Sequence, residues 1–392
     1  MKTWNIADVR AYAIDPTGGT SWLDTTPMSS PMSAYPDYRA SRSSWSLERG
    51  RRLYVEVESA SGIVGAAVGD GGDAGCLIVE RLLSRFLVGA DPRDVARLWD
   101  QMFRTASFDH GREGIAIRAI SVVDLALWDL LGRLRGEPVY KMIGGAVRDS
   151  IPAYHTGQRA DQGKALGFPM AKVTLPHGAG DGRDGLERNV AMLTENRSSV
   201  GPGYRFAVDC WTGLDVGSAV ELARAVAHID LAWIEEPLHA EDLDGFRALR
   251  AAVPGARWTT GEHRATRYGF RQLIAERLVD AVQPDLRWCG GLTEALRIAD
   301  LAAAFDVPVM PHHGGVYSYH FAATQTHVPY VEFLNTSERS DAIVPLTGPL
   351  FEGEPLPKDG RITLGEAPGF GLALKADARG ALRRPFVRDA TA

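Results

Sequence analysis

Two patterns of apolar positions divide this chain. Near its start, apolar and charged residues alternate in Asn5-Ile6-Ala7-Asp8-Val9-Arg10-Ala11-Tyr12 and in Arg52-Leu53-Tyr54-Val55-Glu56-Val57-Glu58. A period of two puts successive side chains on opposite faces, so residues 1–15 and 51–68 are expected as strands of an antiparallel sheet covered on one side. The 35 residues between them, Pro16 to Gly50, are rich in Ser, Pro and Met. A loop that long is a functional lid or disordered, and Tyr35, Tyr38, Arg39, Arg42 and Trp45 favour the lid. From about Cys76 to Leu134 the apolar residues recur with helical period, most clearly over Val122–Leu131. Residues 1–150 therefore read as an α+β unit.

From residue 151 short β-rich runs alternate with helical ones: Ile151–His155, Met170–Leu175, Arg205–Cys210, Leu231–Glu235, Arg257–Thr260, Val279–Gln283, Val307–Pro311 and Tyr330–Leu334. Eight βα units predict a (β/α)8 barrel over residues 151–343. Residues 344–392 carry Gly/Pro-marked turns, a strand-like Gly360-Arg361-Ile362-Thr363-Leu364 and a tail with Arg383, Arg384 and Arg388, expected as a solvated end. This segment is expected to pack back on the first unit. The fold class expected is α/β, a modified TIM barrel with an α+β cap completed by the C-terminal segment.

Composition narrows the functional classes. Hydrophobic residues make up 45% and charged residues 23% of 392, as in an ordinary globular protein. A net charge of −6 offers no footprint for nucleic acid, and no apolar stretch approaches the ~18 residues of a membrane span. The start, MKTWNIADVR, lacks the apolar core of a signal peptide. Three scattered cysteines, Cys76, Cys210 and Cys289, show no C-x-x-C spacing, which suits a reducing cytoplasm. Gly69-Asp70-Gly71-Gly72-Asp73-Ala74 fits G-x-G-x-x-A, but its aspartates would repel a pyrophosphate, so it reads as a turn into a helix.

Polar residues recur where the later runs end. Asp209, Glu235, Glu262, Asp285, His312 and Glu332 are spaced 26, 27, 23, 27 and 20 residues apart, about one βα unit each. In a barrel the C-terminal strand ends converge on one mouth, where active sites are built. Asp209, Glu235 and Glu262 would repel there unless a hard divalent cation lies among them, and oxygen-only ligands suit Mg²⁺. The alternative is three separately paired structural acids. Asp285 and His312 fall on adjacent strands, where a carboxylate fixes an imidazole's tautomer and raises its basicity. Glu332 faces the same mouth and, if kept protonated by its acidic neighbours, could donate to a developing enolate. His263 lines the pocket or simply packs; nothing in the spacing singles out His155, His177 or His320. No H-x-H or H-E-x-x-H occurs, which speaks against a zinc hydrolase.

Val208-Asp209-Cys210-Trp211, Trp233-Ile234-Glu235-Glu236, Gly261-Glu262-His263, Gln283-Pro284-Asp285, Trp288-Cys289-Gly290-Gly291-Leu292-Thr293 and Val316-Tyr317-Ser318 together resemble the enolase superfamily. Within it they are most similar to the L-rhamnonate dehydratase branch of acid-sugar dehydratases. Pro31-Met32-Ser33, Asp124–Leu130 and Pro368-Gly369-Phe370-Gly371 extend the likeness over nearly the whole chain. The resemblance implies one Mg²⁺ on Asp209, Glu235 and Glu262, and His312, oriented by Asp285, as the base that takes the proton α to a sugar-acid carboxylate. Loss of the 3-hydroxyl would then give a 2-keto-3-deoxy acid.

Relatives often carry K-x-K on the second strand; here it is Lys172-Val173-Thr174. Thr174 cannot serve as a second base, so His312 is expected to act as base and then acid on one face. Lys172, one of six lysines, would help neutralise the substrate carboxylate or form a salt bridge. Arg42, in Arg39-Ala40-Ser41-Arg42-Ser43-Ser44-Trp45, matches a substrate-contacting arginine of the branch. The lid departs from the pattern, because no histidine precedes His110. L-Rhamnonate, L-lyxonate and L-mannonate all stay open as substrates. The resemblance also implies a homo-oligomer, an octamer among its forms. The rival readings are a racemase or epimerase of a hydroxy acid on the same scaffold, and a non-catalytic barrel.

Overall fold

The computed structural model describes residues 3–15, 21–38 and 51–387. Lid residues 39–50, which include Arg42, and the terminal Arg388 lie outside the described residues. The alternating segments form an antiparallel sheet in which β1 (Ile6–Ile14) pairs with β2 (Arg52–Ser59), and β2 with β3 (Val64–Asp70). The run 51–68 is thus a hairpin rather than one strand, closed where Gly62 N donates to Ser59 O at 2.9 Å. The sheet's fourth strand, Leu382–Arg383, comes from the far end of the chain and pairs with Ala13 and Ile14. Arg383 pairs with Asp73, and Arg384 holds the buried Glu80 at 2.8 Å. Arg384 is therefore built in against a buried cap carboxylate, whereas Arg383 stays at the surface as expected of the tail.

Helix Ile115–Arg135 buries most of its 21 residues. It packs on β2 and β3 and also on the barrel helix Gly291–Ala304, so both faces are apolar. Its two buried acids are structural. Asp124 accepts from Thr293 N at 2.9 Å and Thr293 Oγ1 at 2.5 Å. Asp129 accepts from Ala66 N and Phe370 N, both at 2.9 Å, which ties the cap sheet to the C-terminal segment.

Strands β4 (Ile151–Thr156), β5 (Met170–Thr174), β6 (Arg205–Asp209), β7 (Ile234–Glu235), β8 (Trp258–Thr260), β9 (Ala281–Val282) and β10 (Val331–Leu334) run parallel, and the last pairs with the first. Seven of the eight expected runs therefore form ladder strands. The other, Val307–Pro311, contributes a single bridge, Val282↔Val309, because Pro308 and Pro311 remove donors a longer ladder needs. Tyr154, Met170, Ala207, Trp233, Ala281 and Met310 pack together inside the barrel. Two residues further along each run stand Thr156, Lys172, Asp209, Glu235, Gln283 and His312. The period of two thus carries a polar layer directly above an apolar floor.

Part of the segment expected as a lid lies over that layer. Trp22 is fully buried and donates to Asn335 O at 2.6 Å, Ser29 Oγ donates to Cys210 O at 2.7 Å, and Gln158 Nε2 donates to Thr26 Oγ1 at 2.8 Å. Asn335, Cys210 and Gln158 follow β10, β6 and β4, so the segment crosses the C-terminal mouth. Among the described residues, no helix is long and apolar enough to cross a membrane.

Candidate active site

Asp209 and Glu235 are register partners at the ends of β6 and β7. Glu262 joins them from beyond β8 through a sharp bend at Gly261. The bend needs glycine: φ is +142°, and a Cβ would lie 2.7 Å from Phe270 Cε1 and 2.9 Å from Gln283 N. Asp209, Glu235 and Glu262 each bring a carboxylate oxygen within 4.8 Å of the others, and all three are buried. Several of these strand ends are followed by non-glycine residues in the left-handed region. Trp211 stands two residues after Asp209 at φ 47°, Glu236 follows Glu235 at 41°, and His313 follows His312 at 70°. Such conformations cost of order 1–3 kcal/mol each and persist where the surroundings fix them, typically at functional sites.

Each acid is held differently. Glu235 accepts from Trp233 Nε1 at 2.8 Å, from Gln283 Nε2 at 2.6 Å and from Lys172 Nζ. Asp209 accepts from Trp211 N at 3.0 Å. Burial, with Glu235 beside it, pushes the Asp209 carboxyl up from its ordinary value. Glu262 Oε2 is buried and has no hydrogen-bond partner. His312 Nε2 lies 3.0 Å from it, near enough for charge attraction but without hydrogen-bond geometry.

Lys172 is buried among carboxylates. Besides Glu235, its ammonium lies 3.2 Å from Glu332 and 3.5 Å from Asp209. Of the two expectations for Lys172, the salt bridge is what the structure displays. Glu332 Oε1 accepts from Thr156 Oγ1 at 2.5 Å and Oε2 from His313 N at 2.6 Å. Although burial opposes it, Lys172 and His312 hold Glu332 below the usual carboxylate value. The expectation of a protonated donor at Glu332 assumed acidic neighbours, whereas Lys172, 3.2 Å away, is a cation and both oxygens of Glu332 accept hydrogen bonds.

His312 Nδ1 is hydrogen-bonded to Asp285 Oδ2 at 3.0 Å. Asp285 Oδ1 accepts from Arg287 N at 2.7 Å, and Oδ2 from Arg287 Nη2 at 2.9 Å. Burial would raise Asp285, but Arg287 and His312 hold it far below its ordinary value. With Asp285 ionised, Nδ1 carries the proton and Nε2 points toward Glu262. Burial alone would lower His312; Glu262, Asp285 and Glu332 outweigh it and push the imidazole up to about 10.

Alternation along the strands did not disclose several neighbours. Glu236 turns at its left-handed φ to meet His263 Nδ1 at 2.7 Å and Thr260 Oγ1 at 3.1 Å. His263, 43% exposed at its side chain, sits 3.6 Å from Glu262 and is pushed up to about 9, as Glu236 overcomes its partial burial. The Trp288 ring lies 5.3 Å from that of His312 and 5.8 Å from that of His263. His155 and His320 are not at the mouth: His155 bonds Ser340 O at 3.0 Å in the interior, and His320 Nδ1 accepts from Tyr140 N at 3.2 Å. His177 pairs with Asp181 at 3.8 Å.

Among the described residues, six buried carboxylates (Asp209, Glu235, Glu236, Glu262, Asp285 and Glu332) face four basic groups, Lys172, His263, Arg287 and His312. With all six ionised, negative charge exceeds positive even when both imidazoles are protonated, and burial together with that crowding pushes the Asp209 and Glu262 carboxyls up. That excess, the all-oxygen donor set and the orphaned Glu262 Oε2 fit a hard divalent cation on Asp209, Glu235 and Glu262.

Residues 156–378 match the enolase C-terminal domain-like family, and residues 38–144 the N-terminal domain of mandelate racemase and muconate lactonizing enzyme. The chain belongs to the enolase superfamily. An L-rhamnonate dehydratase of Saccharopolyspora erythraea is 44% identical over 394 residues, covering 98% of this chain and 100% of that protein. The crystal structure of L-rhamnonate dehydratase from Gibberella zeae superposes with a TM-score of 0.94 at 43% identity, covering 98% and 97% of the two chains. A rhamnonate dehydratase structure from the same organism, complexed with Mg, gives 0.94 at 42% over the same shares. The 3,6-anhydro-D-galactonate cycloisomerase of Zobellia galactanivorans lies further off, at 0.77 and 26% over 96% and 99%.

Proposed function

We propose that this superfamily member dehydrates a sugar acid of the L-rhamnonate type to its 2-keto-3-deoxy acid. The observation that carries this reading is the setting of His312. Its Nδ1 is fixed by an ionised Asp285, and its Nε2 is turned to Glu262 of the carboxylate triad. A base set so can take a proton only from a carbon held against the triad. Asp209, Glu235 and Glu262 would hold Mg²⁺, which supplies positive charge against the carboxylate of the substrate as its α-carbon loses a proton.

The chain's own residues supply the rest. Neutral His312 accepts the α-proton at Nε2, while Asp285 stabilises the imidazolium that results. The electron pair left behind expels the 3-hydroxyl, and His312 returns its proton to that oxygen, so water leaves. The enol product ketonises to the 2-keto acid. Because carboxylate charge is what keeps His312 protonated, a cation taking up that of Glu262 releases the imidazole for this work. Lys172, on Glu235 and Glu332, keeps the acids together beneath the substrate. Arg42 and His263 would bind the substrate's hydroxyls.

Epimerisation would need a second base facing His312. The second strand offers Lys172, which is committed to three carboxylates, and Thr174, which is no base. The division into a cap (1–150), a barrel (151–343) and a returning segment (344–392), together with a homo-oligomeric, octameric and cytoplasmic enzyme, belongs to the same proposal.

The test is 2-keto acid formation across L-rhamnonate, L-lyxonate and L-mannonate, with Mg²⁺ and after its removal by chelation. Keto acid from at least one of them, dependent on Mg²⁺, is expected. A stereoisomer without keto acid would replace dehydration with epimerisation, and no turnover of any sugar acid would end the proposal. In the same assay Arg42→Ala is expected to raise KM severalfold with an unchanged melting temperature.

A further inference from the structure

The last residue of cap strand β3, Asp70, reaches the barrel beside the base. Its Oδ2 accepts from Trp288 Nε1 at 2.7 Å and lies 3.7 Å from Arg287 Nη1. The other edge of the same guanidinium, with the Arg287 backbone N–H, grips both oxygens of Asp285. Asp285 in turn holds His312. The Arg287 Nη2 also meets His313 Nδ1, and the Arg118 guanidinium lies 4.0 Å from the centre of the Trp288 ring. One cap carboxylate thus touches both the arginine behind the base and the tryptophan beside it.

The approach is close by construction. Gly69 precedes Asp70, and a Cβ there would lie 2.6 Å from Val122 Cγ2 and 3.5 Å from Arg287 Cβ. A planar guanidinium grips a carboxylate in a defined plane only if its own rotation is stopped. Asp70 sets its charge 3.7 Å from the remaining Nη1, on the cap side of the guanidinium. The glycine-rich stretch that resembled a nucleotide loop is, on this geometry, a strand end cut close enough to deliver a carboxylate to the barrel.

We propose that Asp70 is a positioning residue for the general base: by fixing Arg287 it sets the plane of Asp285 and so the aim of His312. The barrel's base is then correctly aimed only with the cap docked. This inference rests on the dehydratase reading for its kinetic arm but not for its structural one.

The test compares the wild type with Asp70→Asn, which keeps the shape and an acceptor for Trp288 but removes the charge. Asp73→Asn, which breaks the cap ion pair to Arg383 instead, is the control. Crystal structures at one pH read the His312 Nδ1 to Asp285 Oδ2 separation, 3.0 Å in the intact protein. In Asp70→Asn it is expected to open beyond hydrogen-bond reach, past about 3.5 Å, or the ring to rotate, with Asp73→Asn unchanged. On a turned-over sugar acid, kcat is expected to fall about tenfold with KM within about twofold. The deuterium effect of α-deuterated substrate on kcat should grow as proton abstraction becomes limiting.

An unmoved dyad overturns the proposal, whatever kcat does, and so does a moved dyad with unchanged kcat. A fall in kcat matched by Asp73→Asn overturns it too, since the cause would then be general loosening of the cap. If the wild type turns over no sugar acid, the dehydratase reading fails, and the dyad separation alone decides the role of Asp70.

Discussion

Two pairs of histidines in the barrel unit experience burial and answer it oppositely. At the mouth, His312 is pushed up to about 10 and His263 to about 9, because Glu262, Asp285 and Glu236 outweigh their desolvation. In the interior, His155 is pulled down to about 4 and His320 to about 3, because burial meets no carboxylate there. The acids divide likewise. Burial pushes Asp124 up to about 7, yet Thr293 satisfies both its oxygens, whereas Glu262 keeps an oxygen without a hydrogen-bond partner. Burial of a polar group is therefore no mark of function by itself. What marks the mouth is charge that the fold gathers and leaves unbalanced.

The largest expected effect tests the histidines directly. His312→Asn should lower kcat by about a thousandfold while Mg²⁺ affinity, read by calorimetry, stays within about threefold. His320→Asn should keep turnover within about twofold; an equal loss there would erase the distinction between the pairs. The acids come next. Glu262→Gln removes a charged oxygen from the triad and should weaken Mg²⁺ binding by at least about tenfold, roughly 1.4 kcal/mol. Asp124→Asn should leave that affinity unchanged while lowering the melting temperature. If the two acids weaken Mg²⁺ alike, the orphaned oxygen of Glu262 is no ligand.

The mouth was largely legible in the sequence, for a simple reason. A period of two within strands and one βα unit between them suffice to put Asp209, Glu235, Glu262, Asp285, His312 and Glu332 in one ring. Legibility ended wherever the backbone left that rhythm. Glu236 should point away from Glu235, but its left-handed φ of 41° turns it to His263. The ion pair of Glu332 depends on Lys172, which reaches it because β10 and β5 flank β4 in the closed sheet. The Trp288–Asp70 bond joins residues 218 positions apart, and no local pattern announces such a pair. The tail misled at Arg384 for a similar reason: it looks solvated until the strand it follows pairs with β1 and brings it to Glu80.

Stability against pH sharpens the comparison further, provided each histidine is read as wild type minus variant so that other titrations cancel. His320, neutral in the fold, leaves the unfolded chain to take a proton it refuses. Its contribution is whole above about pH 6.5, the ordinary imidazole value, and is lost as pH falls toward about 3. By pH 4 the wild type should have lost about 3 kcal/mol relative to His320→Asn, seen as melting temperatures that approach or cross.

His263 should run the other way and more weakly, since its half-exposed ring is screened by solvent. Its folded value of about 9 exceeds the unfolded one. The stability it adds is therefore whole below about pH 6.5 and lost as pH rises through about 9. Metal-free wild type and His263→Gln should differ most at pH 6 and converge by pH 10 in thermal melts. Saturating Mg²⁺ should shrink even the pH 6 difference, because a cation on Glu262 repels the imidazolium beside it. A difference that instead grew with pH would mean that Glu236 does not hold His263 as an ion pair, and the mouth pair would behave as the interior pair does.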